Sequence, residues 1–176
     1  MKTIVRLAES ADISKLEALI AASARALQAS DYSERQIEGA IGSVFGLDSR
    51  LIADRTYFAA VKDECIVGCG GWSARRTLFG GDAWQARDDE RLDPRTHAAK
   101  IRALFVHPGA ARTGVGTLLL DACESAARAA GFTRFELGAT LTGRRLFAAG
   151  GYSAVELVDV ALSNGATMPI VRMAKG

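Results

Sequence analysis

The stretch that decides the fold is IRALFVHPGAARTGVGTLLL, residues 101–120. An apolar strand pattern runs through His107-Pro108 into a loop that carries Gly114 and Gly116, and a helix pattern follows. Glycines let a backbone pass close to a ligand. A helix N-terminus presents unpaired N–H groups and the positive end of the helix dipole to an anion. The stretch therefore predicts a strand, loop and helix that together can hold a phosphate group.

The composition limits the kind of protein to which this loop belongs. The chain has 176 residues, of which 49% are hydrophobic and 24% charged, which is typical of an ordinary globular domain. We expect residues 1–176 to form one domain. No stretch approaches a membrane span or a signal peptide, so we predict a cytoplasmic protein without a membrane partner. A net charge of +2, with scattered basic residues, argues against nucleic acid.

The three cysteines are Cys65, Cys69 and Cys123. They are odd in number and show no CxxC spacing, so we expect reduced thiols rather than disulfides. No ligand pattern for a metal is present, and we predict no metal site.

Apolar periodicity and turn residues predict the order βααββ, a long insertion at 74–97, and then βαβαββ. Asp12 is predicted to cap the first helix, and Ser33 with Gln36 forms a capping box for the second, whose apolar stripe extends to Phe45. Asn164-Gly165 predicts a type I′ hairpin turn. The expected strands are 3–7, 57–61, 65–72, 100–106, 133–139, 152–162 and 167–173, and the later helices are 114–130 and 143–149.

The insertion at 74–97 is polar, contains Gly80-Gly81 and Pro94, and is longer than most connections in a compact domain. Loops of this length usually serve function or are disordered.

Three phosphate-binding hypotheses compete for the glycine loop. A nucleoside-triphosphate P-loop requires Lys where this chain has Val115, and a dinucleotide fingerprint requires a third Gly where it has Leu119, although Glu136 lies at a suitable distance for a ribose contact. The pyrophosphate of coenzyme A requires only successive backbone amides at a helix start. A purely structural strand-to-helix turn stays open on the local sequence.

The order of elements and two motifs resemble the GNAT family, the Gcn5-related N-acetyltransferases. The family's acyl-CoA motif, [QR]-x-x-G-x-[GA] after a strand ending in V-x-P, corresponds to Ala111-Arg112-Thr113-Gly114-Val115-Gly116 after Val106-His107-Pro108. A second family signature is similar to Gly143–Tyr152. The resemblance implies a single-domain α/β fold with a mixed six- to seven-stranded central sheet, helices on both faces, and splayed central parallel strands.

The resemblance also implies acetyl-CoA as co-substrate. Backbone amides of the glycine loop would bind its pyrophosphate, Arg112 could pair with a phosphate oxygen, and the strand edge at Phe105 and Val106 would run along the pantetheine arm. The residues implied to bind the cofactor are Phe105, Val106, Ala111, Arg112, Thr113, Gly114, Val115, Gly116, Thr117 and Phe147.

The implied reaction is transfer of the acetyl group to an amine of a small molecule or peptide by direct attack. Three family positions differ here. Phe147 stands where many members carry a Tyr that protonates the leaving thiolate, strand 100–106 has no carboxylate to act as a base, and Ala111 replaces the usual Gln or Arg. No catalytic residue is therefore assigned. The alternative is a non-catalytic acyl-CoA sensor or partner protein with the same fold.

In this family the acceptor pocket lies between the first two helices and the loops beside them. An acidic, aromatic opening would suit a cationic amine. The candidates for acceptor binding are Asp31, Tyr32, Trp72, Asp82, Trp84 and Tyr152. A homodimer through terminal strands or exposed edges is also expected by analogy, since residues 155–162 are apolar enough to pair.

Overall fold

The computed structural model describes residues 1–176 as a seven-stranded mixed sheet with five helices. The strands are β1 (Ile4–Leu7), β2 (Tyr57–Lys62), β3 (Cys65–Ser73), β4 (Ala99–Val106), β5 (Phe135–Ala139), β6 (Ser153–Ala161) and β7 (Thr167–Lys175). The helices are α1 (Ile13–Leu27), α2 (Glu34–Ala40), α3 (Ser49–Ala53), α4 (Val115–Ala129) and α5 (Arg144–Ala149). The order across the sheet is β1-β2-β3-β4-β5-β7-β6, and only β4 and β5 pair in parallel. None of the five helices combines the length and the apolar character of a membrane-spanning helix.

The helices cover both faces of the sheet, which confirms the predicted fold class. Residues of α1 and α2 pack with Phe105 in one core, while Leu120 and Cys123 of α4 and Phe147 of α5 belong to a second core. β4 contributes Phe105 to the first core and Ile101 to the second. Regular alternation would place these two residues on the same face, and an irregularity of the strand at Ala103 reverses the alternation between them. β4 therefore lies between the two layers of helices.

The central parallel strands are splayed, as the resemblance implied. β4 and β5 pair only at Ala99 with Phe135 and at Lys100 with Glu136. Lys100 forms an ion pair with Glu136, whose other carboxylate oxygen accepts a 2.7 Å hydrogen bond from Arg172 of β7. Beyond Lys100, the edge of β4 that faces β5 has no strand partner.

The second helix and its continuation differ from the prediction. α2 begins at the predicted capping box, in which Ser33 Oγ accepts from the N–H of Gln36, but the helix ends at Ala40. Gly42 has a φ of +89°, which breaks the helical course before Val44 and Phe45, although both side chains are still buried. Helix α3 was not predicted because five residues are too few for helical periodicity to show; Asp48 caps it by accepting from the N–H of Arg50.

One predicted helix cap and one predicted hairpin turn are wrong. The Asp12 carboxylate does not cap α1; it accepts from the N–H of Glu9 and forms a bidentate pair with Arg6, so the chain enters α1 through a short 3-10 turn. The turn at Asn164-Gly165 is not type I′, because only Gly165 has a positive φ. Gly165 donates to the carbonyl of Leu162 in a three-residue loop, a type I turn followed by a left-handed glycine.

The insertion is ordered by its own contacts. Leu92 donates its N–H to Ala74, Arg76 donates to Glu90, and Thr77 donates to Asp88, so the two ends of the insertion run side by side. This arrangement brings Phe79 and Gly80, at its inner end, toward the splayed strands.

Candidate functional site: an anion cradle beside a cavity between splayed strands

The loop between β4 and α4 presents a row of free backbone donors. The six consecutive N–H groups from Arg112 to Thr117 donate to no acceptor in the protein, and the first bond of α4 runs from Leu118 to the carbonyl of Gly114. Arg112 and Gly114 have φ values of 61° and 91°, which turn the chain so that the donors precede the helix. Consecutive N–H groups at a helix start form a concave site for an anion.

The cradle has space in front of it and is packed firmly behind. A Cβ placed on Gly114 would meet no atom within 4 Å, whereas one on Gly116 would lie 3.0 Å from a methyl of Leu146 and 3.8 Å from a methyl of Val106. The Thr113 hydroxyl donates to the carbonyl of Ala110 at 2.6 Å, which closes the loop on itself. The open side is therefore available to a ligand, and the packed side places the cradle next to β4 and α5.

A cavity of about 100 Å³ lies where β4 and β5 diverge. One end is lined by Leu146 and Phe147 of α5, and the other by Phe45 and by Gln28 at the end of α1. These groups belong to opposite faces of the sheet, so the cavity runs through the sheet between the two strands. Leu146, which also contacts the position of Gly116, joins the cavity to the cradle.

A β-bulge bends β4 at the cavity wall. Ala103 has a φ of 48°, and the register with β3 shifts between Cys69 and Gly71 opposite it. The hydroxyl of Tyr57 donates to the carbonyl of Ala103 at 2.8 Å, which satisfies the group that the bulge removes from the ladder. Burial raises the pKa of Tyr57 well above its ordinary value, so its phenol keeps this proton.

Arg102 is a buried cation in the cavity wall, with only 2% of its surface exposed. It donates to Asp48 at 3.1 Å and to the carbonyl of Gly80 at 2.6 Å, and so ties β4 to the insertion. Asp48 also contacts Arg87 at 2.5 Å and Arg50 at 3.8 Å. Burial lowers the pKa of Arg102 and Asp48 opposes that effect; the guanidinium still stays charged, since its pKa lies so far above neutral.

Several residues implied to bind the cofactor meet in this region. Phe105 and Phe147 line the cavity, Val106 lies between the cavity and the cradle, and residues 111–117 form the cradle itself. Ala111 differs from the rest because its N–H is used within the loop, donating to Pro108.

Three of the predicted acceptor residues lie on the side of α1 and α2 but do not line the cavity. The hydroxyl of Tyr32 donates to the carbonyl of Pro169 and accepts from the N–H of Leu141, which uses its hydrogen-bonding capacity. Asp31 accepts from Thr142 at the surface, and Trp84 packs on Phe79 with ring centroids 5.2 Å apart.

The other three acceptor candidates lie elsewhere. Trp72 packs edge to face with Phe132 in the second core, and Tyr152 donates to Glu124 in the same core. Asp82 is exposed, accepts from Ser49 and pairs with Arg87. An acceptor role for these six residues stays a prediction, and the structure does not bring them together.

The sequence patterns did not indicate four residues that line the cavity, Gln28, Phe79, Arg102 and Thr140. The only available signal was Arg102, a second charged residue beside Lys100 in a largely apolar strand, since a buried charge requires a partner. The buried cysteines provide no nucleophile, because burial raises the pKa of Cys69 to about 12 and that of Cys123 still further.

Comparisons with known proteins agree with this geometry. The model of the Acetyltransferase (GNAT) family matches residues 16–152. A GCN5-related N-acetyltransferase from Rhodopseudomonas palustris has a TM-score of 0.74 at 25% identity, with 100% of this chain and 96% of that chain covered. No curated protein matches the chain by sequence.

Two solved structures with bound cofactor share the fold at lower identity. The PaiA N-acetyltransferase from Thermoplasma acidophilum, in complex with coenzyme A, has a TM-score of 0.66 at 14% identity, with 99% of both chains covered. The putative acetyltransferase YncA from Salmonella typhimurium, with acetyl-CoA, has a TM-score of 0.63 at 13% identity, with 99% of this chain and 93% of that chain covered. With most of its length matched by the family model, this chain belongs to the GNAT family of acetyltransferases.

Proposed function

We propose that the protein transfers the acetyl group of acetyl-CoA to an amine of a small molecule or peptide by direct attack. The observation that carries this proposal is the junction of the anion cradle with the cavity through the sheet. A cradle alone suits many phosphate ligands, whereas a cradle that continues into a narrow passage suits a ligand with a phosphate group at one end and a reactive group on a long arm.

The donor half of the site fits coenzyme A. The free N–H groups of residues 112–117 would bind the pyrophosphate, and the exposed side chain of Arg112 can reach a phosphate oxygen. The unpaired edge of β4 would hydrogen-bond the amides of the pantetheine arm as a neighbouring strand does. A backbone N–H of that edge, directed at the thioester carbonyl, would stabilise the oxyanion as it forms.

The acceptor half lies on the side of α1 and α2. No carboxylate or imidazole lines the cavity, and Arg102 is its only ionisable side chain. The amine therefore binds as the free base or loses its proton to water, and its lone pair attacks the acetyl carbon. The C–N bond forms and the nitrogen gives up a proton to water, while the C–S bond breaks and the CoA sulfur leaves as a thiolate that takes up a proton from water.

Thr140 is our candidate donor to that thiolate. Its Oγ accepts from the N–H of Gly143, and its own proton has no acceptor in the protein. A Cβ placed on Gly143 would lie 3.1 Å from this Oγ and 3.5 Å from a ring carbon of Phe147, so the hydroxyl and the ring both border Gly143 in the cavity wall. A hydroxyl proton directed at the sulfur would lower the barrier to its departure.

The decisive experiment measures release of free CoA thiol from acetyl-CoA across a panel of primary amines, with product identified by mass spectrometry. We expect a rate that depends on the acceptor and rises with pH in step with the amount of free amine. Binding of CoA without turnover of any amine would instead support the non-catalytic sensor, the alternative that the missing Tyr and base suggest.

A further inference from the structure

The inner end of the insertion is attached to β4 just beyond the point where β4 and β5 stop pairing. Arg102 of β4 and Gly138 of β5 each lie two residues beyond the last pair of the two strands. Arg102 donates to the carbonyl of Gly80 at 2.6 Å and to that of Thr77 at 3.4 Å. Phe79 lies between these two anchors in the sequence, and it lines the cavity together with Arg102 and Gly138.

The ring of Phe79 packs against β5 at a position that has no side chain. A Cβ placed on Gly138 would lie 3.1 Å from Cδ1 of Phe79 and 3.3 Å from a methyl of Ile170. Glycine at this position therefore leaves room for the ring to rest on the strand itself. Because its neighbours are anchored to β4 and its ring contacts β5, Phe79 covers the narrow end of the splay on the side of α1 and α2.

The segment around Phe79 is fixed on its other sides as well. The ring of Trp84 packs on that of Phe79, with ring centroids 5.2 Å apart. Gly81 donates its N–H to the carbonyl of Ser43 at 2.7 Å, and a Cβ placed on Gly81 would lie 2.6 Å from a backbone atom of Gly46. These contacts hold the ring in place as a fixed wall of the cavity.

A ligand bound at the cradle approaches this wall from the opposite end of the cavity. The cradle follows the C-terminal end of β4, whereas Phe79 lies near the end at which β4 still pairs with β5. In the proposed reaction the arm of acetyl-CoA runs from the cradle along β4, so its acyl group points toward the narrow end. A cavity of about 100 Å³ that an aromatic ring closes there favours a short acyl group over a long one.

We propose that Phe79 limits the length of the acyl group that the protein accepts, and is thereby a specificity-determining residue for the acyl donor. This role accounts for the insertion at 74–97, which carries the ring into the splay. The inference rests on the proposed acetyl transfer and adds to it the selection of the donor by chain length.

Binding of two CoA thioesters tests the inference without any acceptor. Hexanoyl-CoA is four methylene groups longer than acetyl-CoA and carries the same phosphates. With the unmodified protein, we expect titration calorimetry to give a Kd for hexanoyl-CoA about tenfold to a hundredfold above that for acetyl-CoA, because the additional methylenes meet the ring. Equal affinities for the two thioesters would overturn the inference.

Two variants shorten the wall in steps. Phe79→Leu removes part of the ring volume, and Phe79→Ala removes most of it. We expect the Kd for hexanoyl-CoA to fall in this order, until in Phe79→Ala it lies within about threefold of that for acetyl-CoA. An unchanged preference for acetyl-CoA in both variants would overturn the role of Phe79.

Phe132→Leu is the matched control, because it shortens a buried aromatic side chain in the second core that does not line this cavity. It should discriminate against hexanoyl-CoA as strongly as the unmodified protein does. A gain in hexanoyl-CoA affinity equal to that of Phe79→Leu would show that general loosening, and not the wall, sets the preference.

Free CoA separates failure of this inference from failure of the proposed function. CoA has no acyl group, so all four proteins should bind it with the same affinity. If the unmodified protein binds CoA and does not discriminate between the two thioesters, the inference alone is overturned. If it does not bind CoA, the proposed function is overturned and the inference with it.

Discussion

At the scale of single residues, the proposed reaction depends on which hydroxyl groups in and around the cavity still have a proton to donate. Tyr57 and Tyr152 both use their hydroxyls in buried hydrogen bonds, and Phe147 has none. Thr140 is the hydroxyl in the cavity wall whose proton is free. In the proposed reaction, the group that donates to the leaving sulfur would therefore differ from the tyrosine of many family members.

Replacing Thr140 tests this assignment. Thr140→Val keeps the shape and removes the donor, and we expect its single-turnover rate of acetyl transfer to fall about tenfold to a hundredfold. Thr140→Ser retains the hydroxyl and should stay within about threefold of the unmodified protein. Both variants are checked for unchanged CoA affinity, and a Val variant with the original rate would refute a role for this hydroxyl.

At the scale of elements, the cradle is a property of one helix end and the loop that leads to it. Its donors are free because a helix cannot satisfy its first N–H groups, and the left-handed backbone at Gly114 directs them outward. The opposite end of α4 offers a matched control, because Gly131 has a φ of 97° and lies far from the cradle.

Gly114→Glu should weaken CoA binding by about a hundredfold or more, since the carboxylate occupies the open side and repels phosphate. Gly131→Glu introduces the same backbone strain, about 1–2 kcal/mol, without touching the cradle. A Cβ there would make only ordinary contact with Pro94 at 3.5 Å. We expect the two variants to lose similar stability by thermal unfolding while only the first loses CoA affinity by calorimetry. Equal CoA affinities of the two variants would show that the pyrophosphate binds elsewhere.

Ion pairs of Glu136 hold β4 and β5 together at the end where these two strands still pair. Burial by itself would raise the pKa of Glu136, but hydrogen bonds and charges from Lys100 and Arg172 outweigh that effect and hold its pKa below the ordinary value of 4.5. A lowered native pKa means that the carboxylate stabilises the fold above pH 4.5, and that this stability is lost as the pH falls through the native value.

Glu136→Gln should therefore lower the free energy of unfolding by about 2 kcal/mol near neutral pH, less than for a fully buried pair because the site is partly solvated. The difference from the unmodified protein should shrink on acidification below the ordinary pKa of the carboxylate. Urea unfolding of both proteins over this pH range measures it. A difference that does not change with pH would show that Gln disturbs packing rather than charge.

At the scale of the whole molecule, the open splay is maintained by two cores that pack on opposite faces of β4. A ligand that enters the splay contacts both cores and binds only the folded state. At a hundredfold excess over its dissociation constant, acetyl-CoA should stabilise the protein by about 2.7 kcal/mol, which corresponds to a rise in Tm of roughly 5–10 °C. Differential scanning fluorimetry with free acetate as the control measures this, and an unchanged Tm would contradict CoA binding.

Local features of the sequence were sufficient to predict the cradle and the order of the elements other than α3. Glycine at 114 permits a positive φ, a helix must leave its first donors free, and apolar periodicity distinguishes strand from helix; all three depend on neighbouring residues. The same local reasoning failed where several residues together set the backbone conformation, as at the end of α2 and in the hairpin loop at Gly165.

The cavity between the splayed strands was decided by the tertiary structure alone. Gln28, Phe79, Arg102 and Thr140 are distant in the sequence, and they line one cavity only because the strands splay and the insertion folds back on itself. Whether a Tyr or Trp faces a ligand or the core depends on such packing, as Tyr32 and Trp72 show. The sequence by itself thus determined the anion cradle, which is backbone geometry of one short segment. Only the tertiary structure determined the cavity between the splayed strands, because its walls are groups brought together from the whole chain.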